Sequence, residues 1–102
     1  MSGVKFHPEL ASELAEAIGW FVERSPQAAT RLRAEFDQAV IRIVESPGLG
    51  HPCGPFRRVN LKRYPYHVLY DSGAAGEIWI LAFRHDARHP EHSMERRIPE
   101  EP

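Results

Sequence analysis

Two amphipathic helical segments follow one another with almost no linker, and this pairing restricts the folds open to the chain. In residues 8–24 and again in residues 26–45, apolar side chains recur at steps of three and four, the spacing of one helix face. Between them, Ser25 suits a helix N-cap and Pro26 suits a first helical turn. The pattern predicts an antiparallel helical hairpin whose apolar stripes must be covered by another layer.

The remaining segments supply that layer as strands. Residues 3–7, 56–61 and 65–71 have the composition of strands, and "EIWILAF" at 77–83 is almost continuously apolar. A continuous apolar strand is typical of a central sheet position that is covered on both faces. The order β-α-α-β-β-β predicts an α+β fold, in which an N-terminal strand and a helical hairpin pack on one face of a mainly antiparallel sheet.

Length and composition indicate one small domain. The 102 residues are expected to form a single domain over 1–102, with about 91–102 as a flexible tail. The single cysteine, Cys53, excludes a disulfide and favours a reducing cytoplasm. No apolar run reaches the roughly 20 residues that span a bilayer, and no apolar segment marks a secretion signal. Because His51 and Cys53 lack the paired spacing of a zinc site, we expect no metal and no other cofactor.

Positive charge is concentrated in the second half of the chain, although the formal net charge of the whole is −1. If the loop after the last strand lies beside residues 57–63, basic side chains from both segments form one patch for phosphates or a carboxylate-rich partner. The residues of this basic patch are Arg57, Arg58, Lys62, Arg63, Arg84, His85 and Arg88. The alternative is that these charges only protect an edge strand from aggregation.

Large apolar side chains on two strands predict a groove. Side chains alternate along a strand, so every second residue of 65–71 and of 77–83 shares a face. Two helices cover only one face of such a sheet, and aromatic side chains on the other face would form an apolar groove for a partner. The predicted groove residues are Tyr66, Val68, Tyr70, Trp79, Leu81 and Phe83. The alternative is that the sheet twists and the C-terminal tail covers this face.

Three motifs occur in the order found in a known protein family. They are "FHPEL" followed by "WF" and "SP", then "RRVNLKRYPYHVLY", and finally "IWILAFRHDARHP". Together they resemble the RelE/ParE superfamily of bacterial toxins from type II toxin–antitoxin modules, over nearly the whole chain. The resemblance implies a helical hairpin over an antiparallel sheet. It also implies a cognate antitoxin whose C-terminal segment lays a helix or a strand into the apolar groove.

The superfamily stops growth in two ways, and the motifs favour one of them. ParE-type toxins bind and poison DNA gyrase, whereas RelE-type toxins are metal-independent endoribonucleases that cut messenger RNA on the ribosome. The segment "HDARHP" is similar to the ParE-like His-x-x-Arg-x-Pro, and the tail lacks the tyrosine that RelE-type toxins often carry. A near-neutral chain also suits docking into ribosomal RNA poorly. The resemblance therefore implies a cytoplasmic, ParE-like growth inhibitor that is not an enzyme and is neutralised by its antitoxin.

Two alternatives stay open. In a RelE-like ribosome-dependent endonuclease, basic side chains would stabilise the charge on the reacting phosphate and a histidine would move a proton. No motif assigns these catalytic roles; the side chains that would be available for them are Arg58, Lys62, Arg84, Arg88 and His85. The second alternative is a degenerate family member that binds an antitoxin and inhibits nothing.

Overall fold

The structure, a computed structural model, describes residues 3–87 and 98–99 and has the predicted α+β architecture. The elements are β1 (Val4–Phe6), α1 (Leu10–Arg24), α2 (Pro26–Glu45), β2 (His51–Cys53), β3 (Phe56–Asn60), β4 (Tyr66–Ser72) and β5 (Ile78–His85). The strands form one five-stranded sheet in the order β1-β5-β4-β3-β2. β1 runs parallel to β5 and the other neighbours are antiparallel. β5 is an interior strand, as its apolar sequence predicts.

Ser25 ends one helix and begins the next. Its backbone N–H donates to the carbonyl of Phe21 at 2.6 Å, and its hydroxyl oxygen accepts from the N–H of Ala28 at 3.2 Å. Pro26 occupies the first turn of α2, where its missing N–H costs nothing. One residue therefore satisfies backbone groups of both helices, and the predicted helical pair is confirmed with no linker between its members.

One short strand was not predicted. β2 lies in a Gly- and Pro-rich segment for which the sequence pattern predicts no strand, and it pairs with β3 through a turn in which Gly54 has a φ of 59°. A left-handed backbone of this kind is open to glycine at little cost. Three residues that include Pro52 carry no alternation, so the sequence pattern has nothing from which to predict a strand here.

A β-bulge changes which way the end of β5 faces. Leu69 pairs with Ala82 whereas Tyr70 pairs with Ile80, so the pairing skips Leu81. The extra residue reverses the alternation after it. Phe83 therefore packs against the helices, with its ring 5.3 Å from that of Phe36 in α2. The prediction that Phe83 shares a face with Trp79 and Leu81 is wrong for this reason.

Both faces of the sheet carry buried apolar side chains. The helix side holds the main core, which includes Val68, Tyr70 and Phe83. The other face has a second cluster, which we call the opposite-face cluster: Phe56, Leu69, Trp79, Leu81 and Ala82. Ile98 packs against this cluster, and only 8% of Trp79 is exposed. The open groove predicted on this face is therefore absent where the structure describes the chain, because Ile98 and neighbouring apolar side chains cover the aromatic surface.

Tyr70 anchors the segment between α2 and β2 rather than lining a groove. Its hydroxyl donates to the carbonyl of Pro47 at 2.6 Å and accepts from the N–H of Gly50 at 2.9 Å. The contact is so close that a Cβ atom on Gly50 would lie 2.8 Å from the Tyr70 ring and 3.0 Å from the carbonyl oxygen of Arg58. Position 50 is therefore limited to glycine by space.

Gly50→Ala should lower the free energy of unfolding by about 1–3 kcal/mol, because overpacking forces the tyrosine or the backbone to move. Chemical denaturation measures the change. Gly48→Ala is the matched control, since a Cβ atom at Gly48 meets nothing within 4 Å. Equal stability of the two variants would contradict the packing described for Tyr70.

Candidate functional site

Asp86 joins the two basic segments of the chain. Its Oδ1 accepts a hydrogen bond from Nη2 of Arg58 at 3.3 Å and from Nδ1 of His67 at 2.8 Å. Its backbone N–H donates to the carbonyl of Pro65 at 2.7 Å, which holds the end of β5 beside the start of β4. Nε of Arg58 also donates to Oδ1 of Asn60 at 2.8 Å. The guanidinium of Arg58 is thus held by two side chains of its own molecule.

His67 is the buried histidine of this cluster, at 5% exposure. Burial lowers the pKa of His67 below its ordinary value of 6.5, and the nearby cations Arg58 and Arg84 lower it further, while the hydrogen bond to Asp86 opposes this. A carboxylate only accepts hydrogen bonds. Nδ1 of the neutral ring therefore carries the hydrogen atom and donates the hydrogen bond to Asp86. Arg84 is the cross-strand partner of His67, and Arg58 binds the same carboxylate oxygen as His67, so residues 58 and 84 approach the same place.

The lowered pKa of His67 predicts loss of stability in acid. The unfolded state binds this proton at higher pH than the folded state does, so the contribution of His67 to stability is complete above about pH 6.5 and falls as the pH decreases below that value. His67→Gln should flatten the part of this slope that the imidazole causes. Urea denaturation between about pH 5 and 7 measures it. His51→Gln changes an exposed histidine and serves as the control; an unchanged slope in His67→Gln would contradict the prediction.

Glu13 of α1 binds the free edge of β5. β1 pairs with β5 only as far as Ile80. Beyond that point, Oε1 of Glu13 accepts from the N–H of Phe83 at 3.1 Å, and Oε2 lies 2.9 Å from Nη2 of Arg84. The side chains of Glu13 and Arg84 are 13% and 11% exposed. The carboxylate of Glu13 therefore accepts a backbone hydrogen bond that a neighbouring strand would otherwise accept. It also neutralises the largely buried guanidinium of Arg84.

Other predicted patch residues lie outside the cluster that Arg58, His67 and Asp86 form. Nη1 of Arg57 donates to the carbonyl of Gly50 at 2.7 Å, and Arg57 pairs with Tyr70 in the sheet, one position away from Arg58 and so on the other face. Lys62 and Arg63 are exposed in the turn before β4, where their backbone N–H groups donate to Glu35. Arg88 lies outside the described residues. The structure thus brings Arg58 and Arg84 together and keeps Arg57 apart.

A cleft of about 480 Å³ lies between α1 and the paired ends of β4 and β5. Its described lining residues are Glu13, Glu16, Ala17, Trp20, Phe21, Pro65, Tyr66, Phe83, Arg84 and His85. The rings of Tyr66 and Phe83 stack at 5.0 Å, and the edge of the His85 ring meets Tyr66 at 5.1 Å. This cleft therefore contains two of the predicted groove residues and two of the predicted patch residues.

Five of the six predicted groove residues are not accessible to a partner, and one of the five is Phe83, at 2% exposure. Val68, Tyr70 and Leu81 are almost completely buried, and Trp79 belongs to the opposite-face cluster. The correction follows from the bulge in β5 and from the packing on both sheet faces. Sequence reasoning missed Glu13, His67 and Asp86. For His67, a polar residue within an apolar strand was a usable signal; for Glu13 no local signal exists, because its contacts are distant along the chain.

Within residues 3–87 and 98–99, no helix is long and apolar enough to cross a membrane. The same residues hold no group of three or more His, Cys, Asp or Glu side chains placed to bind a metal ion.

A helical hairpin on a sheet of order β1-β5-β4-β3-β2 defines a small α+β class that is represented among solved structures. The chain superimposes on one from the chromosomal ParDE TA system of P. aeruginosa with a TM-score of 0.71 and 23% identity, covering 83% of this chain and 96% of that one. At this identity the likeness establishes the fold. Among curated protein sequences, none matches the chain.

The family follows from the sequence itself. Residues 4–90 match the model of the family described as ParE toxin of type II toxin-antitoxin system, parDE. The chain belongs to the ParE toxin family, and the resemblance drawn from the three motifs is confirmed.

Proposed function

We propose that this protein is a ParE-like growth inhibitor that acts in the cytoplasm by binding DNA gyrase and is neutralised by a cognate antitoxin. The proposal rests on one observation: Arg58 and Arg84, which lie together at the candidate site, each form an ion pair with a carboxylate of the same chain. Arg58 is held by Asp86, and Arg84 is held by Glu13. A family match over residues 4–90 supports the same function.

Cleavage of RNA would require a different arrangement of these groups. Cations that stabilise the transition state must be aimed at the reacting phosphate and cost no reorganisation during the reaction. Here Arg58 and Arg84 would first have to leave carboxylates at 3.3 and 2.9 Å. The imidazole of His85 accepts a hydrogen bond from the N–H of Ala87 at 3.0 Å, so its Nδ1 is already used. These contacts favour a protein that acts by binding its target over one that catalyses the cleavage of RNA.

The antitoxin contact is proposed at the cleft between α1 and the ends of β4 and β5. Two predicted groove residues line it: Tyr66, which is partly exposed, and Phe83, whose buried ring stacks on that of Tyr66. A helix or strand of the antitoxin would extend the apolar contact that these rings begin.

Expression in bacterial cells, followed by two assays on purified protein, tests the function. We expect arrested growth, inhibited supercoiling by purified gyrase, and uncut messenger RNA on translating ribosomes. Co-expression of the neighbouring antitoxin gene should restore growth. Cleaved messenger RNA with unaffected gyrase would overturn the proposal in favour of a RelE-like nuclease. Normal growth with retained antitoxin binding would indicate a degenerate member.

A charge reversal adds a test of the contact surface. Lys62 and Arg63 are predicted patch residues that are exposed in the turn before β4. Lys62→Glu should weaken gyrase inhibition more at low salt than at high salt, because exposed interface charges act mainly on the association rate. Arg31→Glu reverses an exposed charge on α2 and is the control. Equal effects of the two changes would remove Lys62 from the proposed contact.

A further inference from the structure

One face of α1 places two carboxylates and two aromatic rings over the cleft. Glu13, Glu16, Ala17, Trp20 and Phe21 are spaced by three and four residues, so they form a single stripe along the helix. The facing wall is aromatic, since the stacked rings of Tyr66 and Phe83 belong to β4 and β5. The cleft thus combines apolar walls with acidic groups on one side.

The charges of the cleft do not all cancel. Glu13 is neutralised by Arg84, whose Nη2 lies 2.9 Å from its carboxylate. Glu16 is exposed at the mouth of the cleft, and no residue in the described part of the chain forms a hydrogen bond or an ion pair with its side chain. The mouth of the cleft is therefore negative.

We propose that the cleft binds an arginine side chain presented by the antitoxin. The guanidinium would pair with the carboxylate of Glu16, and the methylene stem would lie along the partly exposed ring of Tyr66. A planar guanidinium also stacks on aromatic faces, which favours arginine over lysine. The chain already contains such a contact, in which the guanidinium carbon of Arg24 lies 3.7 Å from the centre of the Trp20 ring. The volume of 480 Å³ falls within the range of ligand-binding cavities.

The identity of the partner rests on the proposed function, whereas the preference of the cleft for a guanidinium does not. A fragment titration separates the two. N-acetyl-arginine amide is titrated into the full chain labelled with ¹⁵N, and N-acetyl-citrulline amide supplies a neutral side chain of the same shape. The chain has two tryptophans, Trp20 at the cleft and Trp79 in the opposite-face cluster, so the two indole N–H signals give an internal control.

We expect the arginine amide to shift the Trp20 signal saturably and to bind about tenfold more tightly than the citrulline amide, because charge-assisted hydrogen bonds are about twice as strong as neutral ones. Glu16→Gln should abolish this difference. Glu45→Gln removes an exposed carboxylate outside the cleft and should preserve it. Equal affinity for the two probes, no saturable shift, or shifts centred on Trp79 would each overturn the proposal.

The antitoxin provides the second measurement. Its affinity for Glu16→Gln should fall about tenfold relative to the parent chain and to Glu45→Gln. If the antitoxin binds all three chains equally, the cleft proposal is overturned while the proposed function stands. If no antitoxin binds at all but the arginine amide does, the proposed function fails and the guanidinium preference is retained.

Discussion

Glu13→Ala should lower the free energy of unfolding by about 3–5 kcal/mol, since breaking a buried ion pair by removing one partner costs about this much. The change removes the carboxylate that lies 2.9 Å from Arg84 and the acceptor for the N–H of Phe83 at 3.1 Å. Alanine is the best helix former, so α1 itself loses nothing through propensity. Against a typical total of about 5–15 kcal/mol, the loss is large enough to measure by chemical denaturation.

Two further variants separate the causes of this loss. Glu13→Gln keeps an oxygen that can accept a hydrogen bond from the Phe83 N–H but carries no charge. The free energy of unfolding of this variant should therefore lie between those of the parent and of Glu13→Ala. Arg84→Met in the Glu13→Ala background should recover part of the stability, because it replaces the buried cation by an apolar side chain of similar length. Glu16→Ala is the control one turn along α1, expected to change stability by less than about 0.5 kcal/mol. A cost at Glu16 equal to that at Glu13 would contradict the role given to the ion pair.

Phe83→Ala should cost about 3–5 kcal/mol, the range for truncating a buried phenylalanine. The side chain is 2% exposed, and its ring contacts Phe36 at 5.3 Å and Tyr66 at 5.0 Å. This outcome distinguishes the two possible faces of β5. A ring in an open groove would weaken partner binding with little effect on folding, whereas a ring under the helices lowers the unfolding free energy. Denaturation of the isolated chain measures which of these occurs.

Phe6→Ala is the matched control for this prediction. Phe6 is 48% exposed on β1, so the same truncation removes much less buried apolar surface there. We expect a loss well below that of Phe83→Ala. Similar losses at both positions would mean that the bulge in β5 does not turn Phe83 toward the helices.

The order of the elements could be predicted because local patterns determine it. The steps of three and four in the two helices, the Ser25-Pro26 junction and the apolar run at 77–83 each depend on neighbours within a few residues. The family motifs depend on the same short segments, which is why the sequence alone carries the resemblance. β2 could not be predicted, because its three residues include a proline and show no alternation of apolar and polar side chains.

The candidate site could be predicted only in part. The sequence contains the two basic segments, and the structure brings Arg58 and Arg84 near the same histidine. It contains no local sign that Asp86 and Glu13 would neutralise them. The acceptor for the N–H of Phe83 is 70 positions away in the chain, and that for Arg58 is 28 positions away. Pairings at such distances are made by the packing of whole elements.

The sequence alone therefore determined the number and kind of elements, the uneven distribution of charge and the family to which the chain belongs. The tertiary structure decided which charges remain available, which way Phe83 faces and where a cleft stays open. A single skipped residue in the β4–β5 pairing reverses the side chains that follow it. The physical reason for the division is range: helix and strand periods arise from adjacent residues, whereas burial and ion pairing arise from surfaces that meet only after the chain has folded.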